Sequence, residues 1–299
     1  MVNSKSQNGL WSFCGGFGRL WAFRFVAHGE TDMSVESDSL DHFRRWFDAY
    51  TSRFFGDDEC INAHLRMKQE HTERTCAQIR GLAGHLALDE RQQQIAELVA
   101  LFHDIGRFPQ YAQYRTFNDG KSLDHSHLGV EILRQKGVLN VLPRDQRQWV
   151  ETAVEHHGRK VLPAHLNGQG LLFAQLIRDA DKLDIYRVVI QLYRRYRADP
   201  EHFPWKLELP DEPHYSPAVF EAVARGQLID HTMMQTLNDM ILCKLSWVYD
   251  MNFAAALARL RAEGFLEQLL SFLPATPAIE RLGAQVLAYV ETRVHQGVG

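Results

Sequence analysis

Glu97-Leu98-Val99-Ala100-Leu101-Phe102-His103-Asp104-Ile105-Gly106-Arg107 is the stretch on which the reading of this 299-residue chain turns. Ile95, Leu98, Val99, Leu101 and Phe102 recur at helical and not alternating spacing, so the stretch reads as a buried helix closed by a His-Asp doublet and stopped by Gly106. Such a doublet makes sense at the end of an apolar helix only if other polar groups converge on it. Neighbouring helical residues point about 100° apart. His103 and Asp104 can therefore share one inorganic centre only by approaching it from two sides, as a terminal and a bridging ligand would.

Working outward, further groups of the right chemistry can be collected. They are His71 in Lys68-Gln69-Glu70-His71, His125 in Asp124-His125-Ser126-His127-Leu128-Gly129, the pair His156-His157, and Asp181 in Arg178-Asp179-Ala180-Asp181-Lys182-Leu183-Asp184. All lie in expected helices or at their ends. Any one histidine alone would read as a structural residue; the set is what is specific. Imidazole with carboxylate and no cysteine suits iron, manganese, nickel or zinc, whereas magnesium alone would take fewer histidines.

Composition narrows the function classes. With 45% hydrophobic and 23% charged residues the chain is an ordinary globular protein, and a net charge of -4 gives no general field for nucleic acid or an anionic membrane. Nucleic-acid binding is not expected, nor is a membrane role. An anionic substrate must then be held by local cations or a metal. Cys14, Cys60, Cys76 and Cys243 are far apart without a C-x-x-C pair, which fits reduced thiols in a cytoplasmic protein. Residues 1–32 are glycine-interrupted and aromatic. They read as a leader outside the fold, too broken to span a bilayer, with the folded chain starting near Met33.

From there to residue 199 the sequence reads as a helical core, with helices expected near 39–55, 60–84, 90–105, 124–136, 144–156, 169–178 and 180–197 and a long loop over Phe108–Leu123. Five of the ten prolines lie between Pro200 and Pro217. That density cannot continue a helix, so 200–217 reads as a connection and 218–299 as a helical extension packed on the core, with helices near 217–225, 231–249, 252–263, 265–272 and 276–295. Period-two strand patterns are essentially absent, so the fold class is all-α. Met233, Met234, Trp247, Tyr249 and Phe253 fit a core or an oligomer seam rather than a cofactor box. No motif sets an oligomeric state.

The order His, His-Asp, His, His-His, Asp on successive helices, over roughly residues 60 to 190, resembles the HD-domain superfamily of metal-dependent phosphohydrolases. The resemblance implies a helical HD bundle in which His71, His103, Asp104 and Asp181 hold one divalent ion. His125, His156 and His157 resemble the added ligands of the binuclear branch typified by the HD-GYP proteins, where Asp104 would bridge two ions. In that branch the third histidine lies four residues before a glycine, which favours His125 over His127. The chain departs from that branch in two places. Gly158-Arg159-Lys160-Val161-Leu162-Pro163 stands where G-Y-P would follow, and Arg107 replaces the lysine usual after H-D-I-G, so cyclic-dinucleotide hydrolysis is not implied.

The expected reaction is hydrolysis of a phosphate ester, the substrate being a nucleotide or another small phosphorylated metabolite. Two divalent ions activate a water and neutralise the attacking and leaving oxygens, while nearby cations hold non-bridging oxygens. Lys182, next to Asp181, is the first candidate cation, with Arg107 and Arg159 behind it and His127 as a further substrate contact. Asp184, one turn from Asp181, is expected to orient a ligand histidine or to handle a leaving-group proton. Two rivals share the ligand pattern. One is a di-iron oxygenase on the same fold, which a redox-inert metal would silence. The other is a non-catalytic nucleotide-binding regulatory module, whose signature would be a missing ligand, and none of the minimal four is missing.

Overall fold

Why α3 (Glu90–Phe102) lies at the centre follows from its composition. From Ile95 to Phe102 every residue is buried, Glu97 included, and a helix that is apolar on nearly all faces must be enclosed by others. The computed structural model describes residues 40–203 and 209–297. In it, α3 is enclosed by α2 (Glu59–His85), α6 (Arg144–His156) and α7 (Gly168–Ala198), and α7 also packs on both α2 and α6. α1 (Leu40–Thr51) lies on α3, and α4 (Arg107–Tyr114) on α2. α5 (His125–Lys136) covers α6. No strand occurs among the described residues. Aspartates start three of these helices: Asp58, Asp89 and Asp124 each accept from backbone N–H groups of the first turn, contributing about 1 kcal/mol apiece.

The extension comprises α8 (Pro217–Ala224), α9 (Leu237–Ser246), α10 (Ala254–Ala262), α11 (Phe265–Leu270) and α12 (Pro277–Gln296). α10 and α11 pack against α7, so the extension and core share a long central helix. Met233, Met234, Trp247, Tyr249 and Phe253 are partly buried against the common core. The described part of the proline-rich connection is tied to the start of α9. Ser216 donates twice to Asp239 at 2.7 Å, and Leu237 N–H donates to Pro210 O at 3.0 Å. The expected leader, residues 1–32, lies outside the described residues.

Three local expectations are corrected. The loop expected over 108–123 begins with α4. Pro109 falls in its first turn, where no intrahelical donor is needed, and Phe108 and Tyr111 are buried. The two helices expected at 169–178 and 180–197 are one, because no glycine or proline interrupts them and the charged residues at the expected break find buried partners. The helix expected over 231–249 is confined to 237–246, with short 3-10 turns on either side.

Gly106 is also needed for a reason other than helix termination. Its backbone is right-handed (φ -68°), but a Cβ there would lie 2.2 Å from the carbonyl oxygen of His125. Glycine at this position lets the turn after α3 touch the start of α5, which brings His125 to the doublet.

Candidate metal centre

Five pieces of backbone deliver the donors: His71 from α2, His103 and Asp104 from the turn after α3, His125 from the first position of α5, His157 just past α6, and Asp181 from the middle of α7. Ile105 and Phe108, fully buried beside the doublet, anchor that turn.

The donors form two groups that share Asp104. In the first, His71 Nε2 lies 3.3 Å from His103 Nε2, 3.0 Å from Asp181 Oδ1 and 3.6 Å from Asp104 Oδ2. His103 Nε2 is 3.6 Å from the same Asp104 oxygen and 3.8 Å from Asp181 Oδ1. In the second, His125 Nε2 and His157 Nε2 are 3.0 Å apart and lie 3.3 and 3.7 Å from Asp104 Oδ1. Donors bound at 2.0–2.2 Å to one ion are separated by about 3.0–3.5 Å along tetrahedral or octahedral edges. Both groups are close to that spacing, and the two oxygens of Asp104 divide between them.

Tautomers decide whether these contacts can be hydrogen bonds. His103 Nδ1 is 2.7 Å from Ala100 O and His157 Nδ1 is 2.7 Å from Val154 O. A carbonyl only accepts, so each Nδ1 carries a proton, and a neutral ring then presents a bare lone pair at Nε2. His71 Nδ1 and His125 Nδ1 likewise stand 2.7 Å from carboxylates, Asp184 Oδ2 and Asp119 Oδ2. Burial pushes His103 down to about 4, and burial together with the Arg107 charge pushes His125 to about 4, so both rings are neutral near pH 7. For His71, burial acts downward but is outweighed by Asp181 and Asp184, leaving it above the ordinary imidazole value. Asp104 is held well below the usual carboxylate range despite its burial, chiefly by Lys68 and His103. Asp181 is also lowered against its burial, chiefly by His71.

Imidazoles with converging Nε2 atoms, two carboxylates held low, and a hydrogen-bonded acceptor behind every ring are what a divalent ion requires. The donor set fits a metal.

The remaining residues sort by what they touch. Asp184, fully buried, accepts from His71 Nδ1 and from Arg74, whose Nε and Nη2 lie 2.6 and 3.1 Å from its two oxygens. It holds His71 in place and is too enclosed to meet a leaving group. His156 belongs to neither donor group, since adjacent helical side chains diverge; its Nδ1 is buried without a hydrogen-bond partner. His127 is exposed and faces Glu155 and Glu131. Arg159 is exposed beside Glu155.

The Arg107 guanidinium is engaged by Asp119 Oδ1 at 2.7 Å, Phe117 O and Gln110, with its Nε 3.4 Å from Asp104 Oδ1. Lys182 departs most from expectation. Its ammonium donates to the side chain and backbone carbonyl of Asp250 in the extension, alongside Arg178. Burial lowers its pKa in spite of Asp250. One residue after Asp181, it points away from the donors.

Sequence reasoning missed four contributors. Lys68 Nζ donates to Asp104 Oδ2 at 2.7 Å and lies 5.2 Å from the centre of the Phe117 ring. Its position one helical turn before His71 was a usable signal. Asp119, behind His125, and Arg74, behind Asp184, carry no such mark, and Asp250 is 68 residues from its partner Lys182. Asp119, Asp124 and His125 also converge. Asp119 is occupied by His125, Arg107 and Gln110, however, and Asp124 caps α5.

Formin-3 of Schizosaccharomyces pombe is 27% identical over 126 residues, which is 42% of this chain but 8% of that protein. The chain thus spans under a tenth of the length of the curated relative it matches. No solved structure matches. A family model described as the HD domain matches residues 69–186, a span that contains every donor of both groups. This match supports membership of residues 69–186 in the HD-domain superfamily.

Proposed function

We propose that this chain is a metal-dependent phosphohydrolase with two divalent ions, one held by His71, His103, Asp104 and Asp181 and the other by Asp104, His125 and His157. The observation that carries the reading is the pair of oxygens of Asp104, each turned to its own pair of imidazole nitrogens. Two such ions would activate a water and neutralise charge on the attacking and leaving oxygens of a phosphate ester. Manganese, iron, nickel and zinc all suit the donors.

The chain's own residues supply orientation and charge. Asp184 and Asp119 fix the rings of His71 and His125, while carbonyls fix His103 and His157. The four imidazoles and Asp104 are almost fully enclosed, and among the remaining donor and the cations touching Asp104 exposure rises at Asp181 (17%), Lys68 (15%) and Arg107 (15%). Substrate therefore approaches on that side. Lys68, at hydrogen-bonding distance from Asp104, is the cation best placed to take a non-bridging phosphate oxygen. With a net charge of -4, local cations of this kind favour a small phosphorylated substrate over nucleic acid. The unpaired thiols Cys60, Cys76 and Cys243 suit a cytoplasmic setting. No helix among the described residues is long and apolar enough to cross a membrane.

The test is turnover of p-nitrophenyl phosphate, bis-p-nitrophenyl phosphate and a nucleotide panel by the manganese-loaded chain, with Asp104→Asn beside it. Hydrolysis that falls by roughly a thousandfold or more in the variant is expected. Absence of hydrolysis with manganese, combined with oxygen consumption by the iron-loaded chain, would instead identify an oxygenase.

A further inference from the structure

The His-Asp doublet and the start of α5 are linked on two sides. On the inner side, Asp104 Oδ1 and His125 Nε2 stand 3.3 Å apart as candidate donors to the second ion. On the outer side the link runs through two further side chains. Arg107 Nε lies 3.4 Å from Asp104 Oδ1, Arg107 Nη1 donates to Asp119 Oδ1 at 2.7 Å, and His125 Nδ1 donates to Asp119 Oδ2 at 2.7 Å. Asp104, Arg107, Asp119 and His125 thus close a ring beside the second donor group.

Within this ring Asp119 is the member that needs holding. It lies in the short turn between α4 and α5 and its side chain is 38% exposed, whereas His125 and Asp104 are buried. Its Oδ1 is fixed by Arg107 and by Gln110 Nε2 at 2.8 Å, and Gln110, fully buried, is itself held by Arg107 Nη1 at 2.9 Å. The same Nη1 donates to Phe117 O at 2.6 Å, so its two N–H groups are shared among three acceptors, all on α4 or the segment that carries Asp119. That nitrogen is committed to the fold and is not free for a phosphoryl oxygen. Two effects on the second ion oppose each other. The guanidinium charge repels a cation, but Asp119 neutralises it at 2.7 Å, while the orientation it imposes on Asp119 passes undiminished to the His125 ring. Orientation therefore outweighs repulsion.

We infer that Arg107 is a positioning residue of the second donor group: it holds Asp119 behind His125, thereby sets the affinity of the second ion, and does not contact the substrate. The assignment rests on the two-ion phosphohydrolase reading and deepens it. It divides the two cations that touch Asp104, with Lys68 left to meet a phosphate oxygen and Arg107 serving the metal through Asp119.

The experiment is manganese affinity of the full chain, read by competition with a chromogenic chelator, for wild type, Arg107→Met, Asp119→Asn and the double variant. Arg107→Met is also made in a His125→Ala background, where the first donor group alone is intact. Arg107→Met and Asp119→Asn should each weaken one ion by about tenfold to a hundredfold and leave the other unchanged. The double variant should be no weaker than the weaker single variant, because both residues act through one ring. In the His125→Ala background Arg107→Met should change nothing, a selectivity that general loss of packing would not produce. A second ion bound equally or more tightly in Arg107→Met overturns the assignment, as do equal weakening of both ions and full additivity in the double variant. One ion in the wild type removes the two-ion reading and this role with it. Selective loss of the second ion in Arg107→Met, with no ester hydrolysed by the wild type, keeps the role of Arg107 and rejects the phosphohydrolase.

Discussion

His125 and His157 face each other Nε2 to Nε2 at 3.0 Å, each with its Nδ1 proton already given to another acceptor. With Nδ1 so engaged on both rings, the two Nε2 atoms converge where a cation between them would be bound by both. His71 and His103 also face each other Nε2 to Nε2, at 3.3 Å. The hydrogen bonds behind the rings thus aim both pairs of Nε2 atoms at common points, the arrangement a metal ion takes.

Acid should destabilise the metal-stripped chain in a defined window. His103 and His125 are each held at about 4, whereas an unfolded histidine titrates near 6.5. Above that value both states carry neutral rings. As pH falls toward 4 the unfolded chain takes up protons that the folded chain refuses, so stability falls by about 1.4 kcal/mol per pH unit for each ring. His71, shifted upward, acts above this window and does not oppose the trend. Denaturant melts of chelator-treated protein between pH 7 and 4.5 measure the slope; a flat profile would contradict the buried, neutral assignment.

Asp184→Asn should keep the hydrogen bond to Arg74 in part but lose the charge behind His71. The expected result is a tenfold to hundredfold weaker affinity for the ion of the first group, by the order seen for partners behind metal-bound histidines. Competition with a chromogenic chelator reads this directly, and unchanged affinity would remove Asp184 from the centre.

Asp250→Ala should loosen the extension. It leaves Arg178 and Lys182 buried without their shared carboxylate, a change of about 3–5 kcal/mol for a broken buried pair. Limited proteolysis should then release the segment after residue 200 while the core persists. Wild-type melting and proteolysis would show that this cluster does not hold the two parts together.

The fold class and most of the candidate donors could be read from the chain because they are local signals. An apolar run at helical spacing, a His-Asp doublet and a few isolated histidines at helix ends survive without knowledge of tertiary structure. What could not be read is direction. Lys182 adjoins Asp181 in sequence, yet one helical step turns it toward Asp250, and the same divergence separates His156 from His157. Within Arg178–Asp184, Asp181 and Asp184 serve the histidines while Arg178, Asp179 and Lys182 hold the extension. Asp119 and Asp250 come from segments brought near only by folding, so no motif marks them. α4 lies within the stretch expected as a loop, and Pro109 falls in its first turn, where a helix tolerates proline.

Elemental analysis of metal per chain, on protein purified without chelator and with His125→Ala alongside, tests the central claim most directly. Two ions per chain in the wild type, falling to about one in the variant, is the result expected when Asp104 bridges two donor groups. One ion per chain, unaffected by loss of His125, would contradict it.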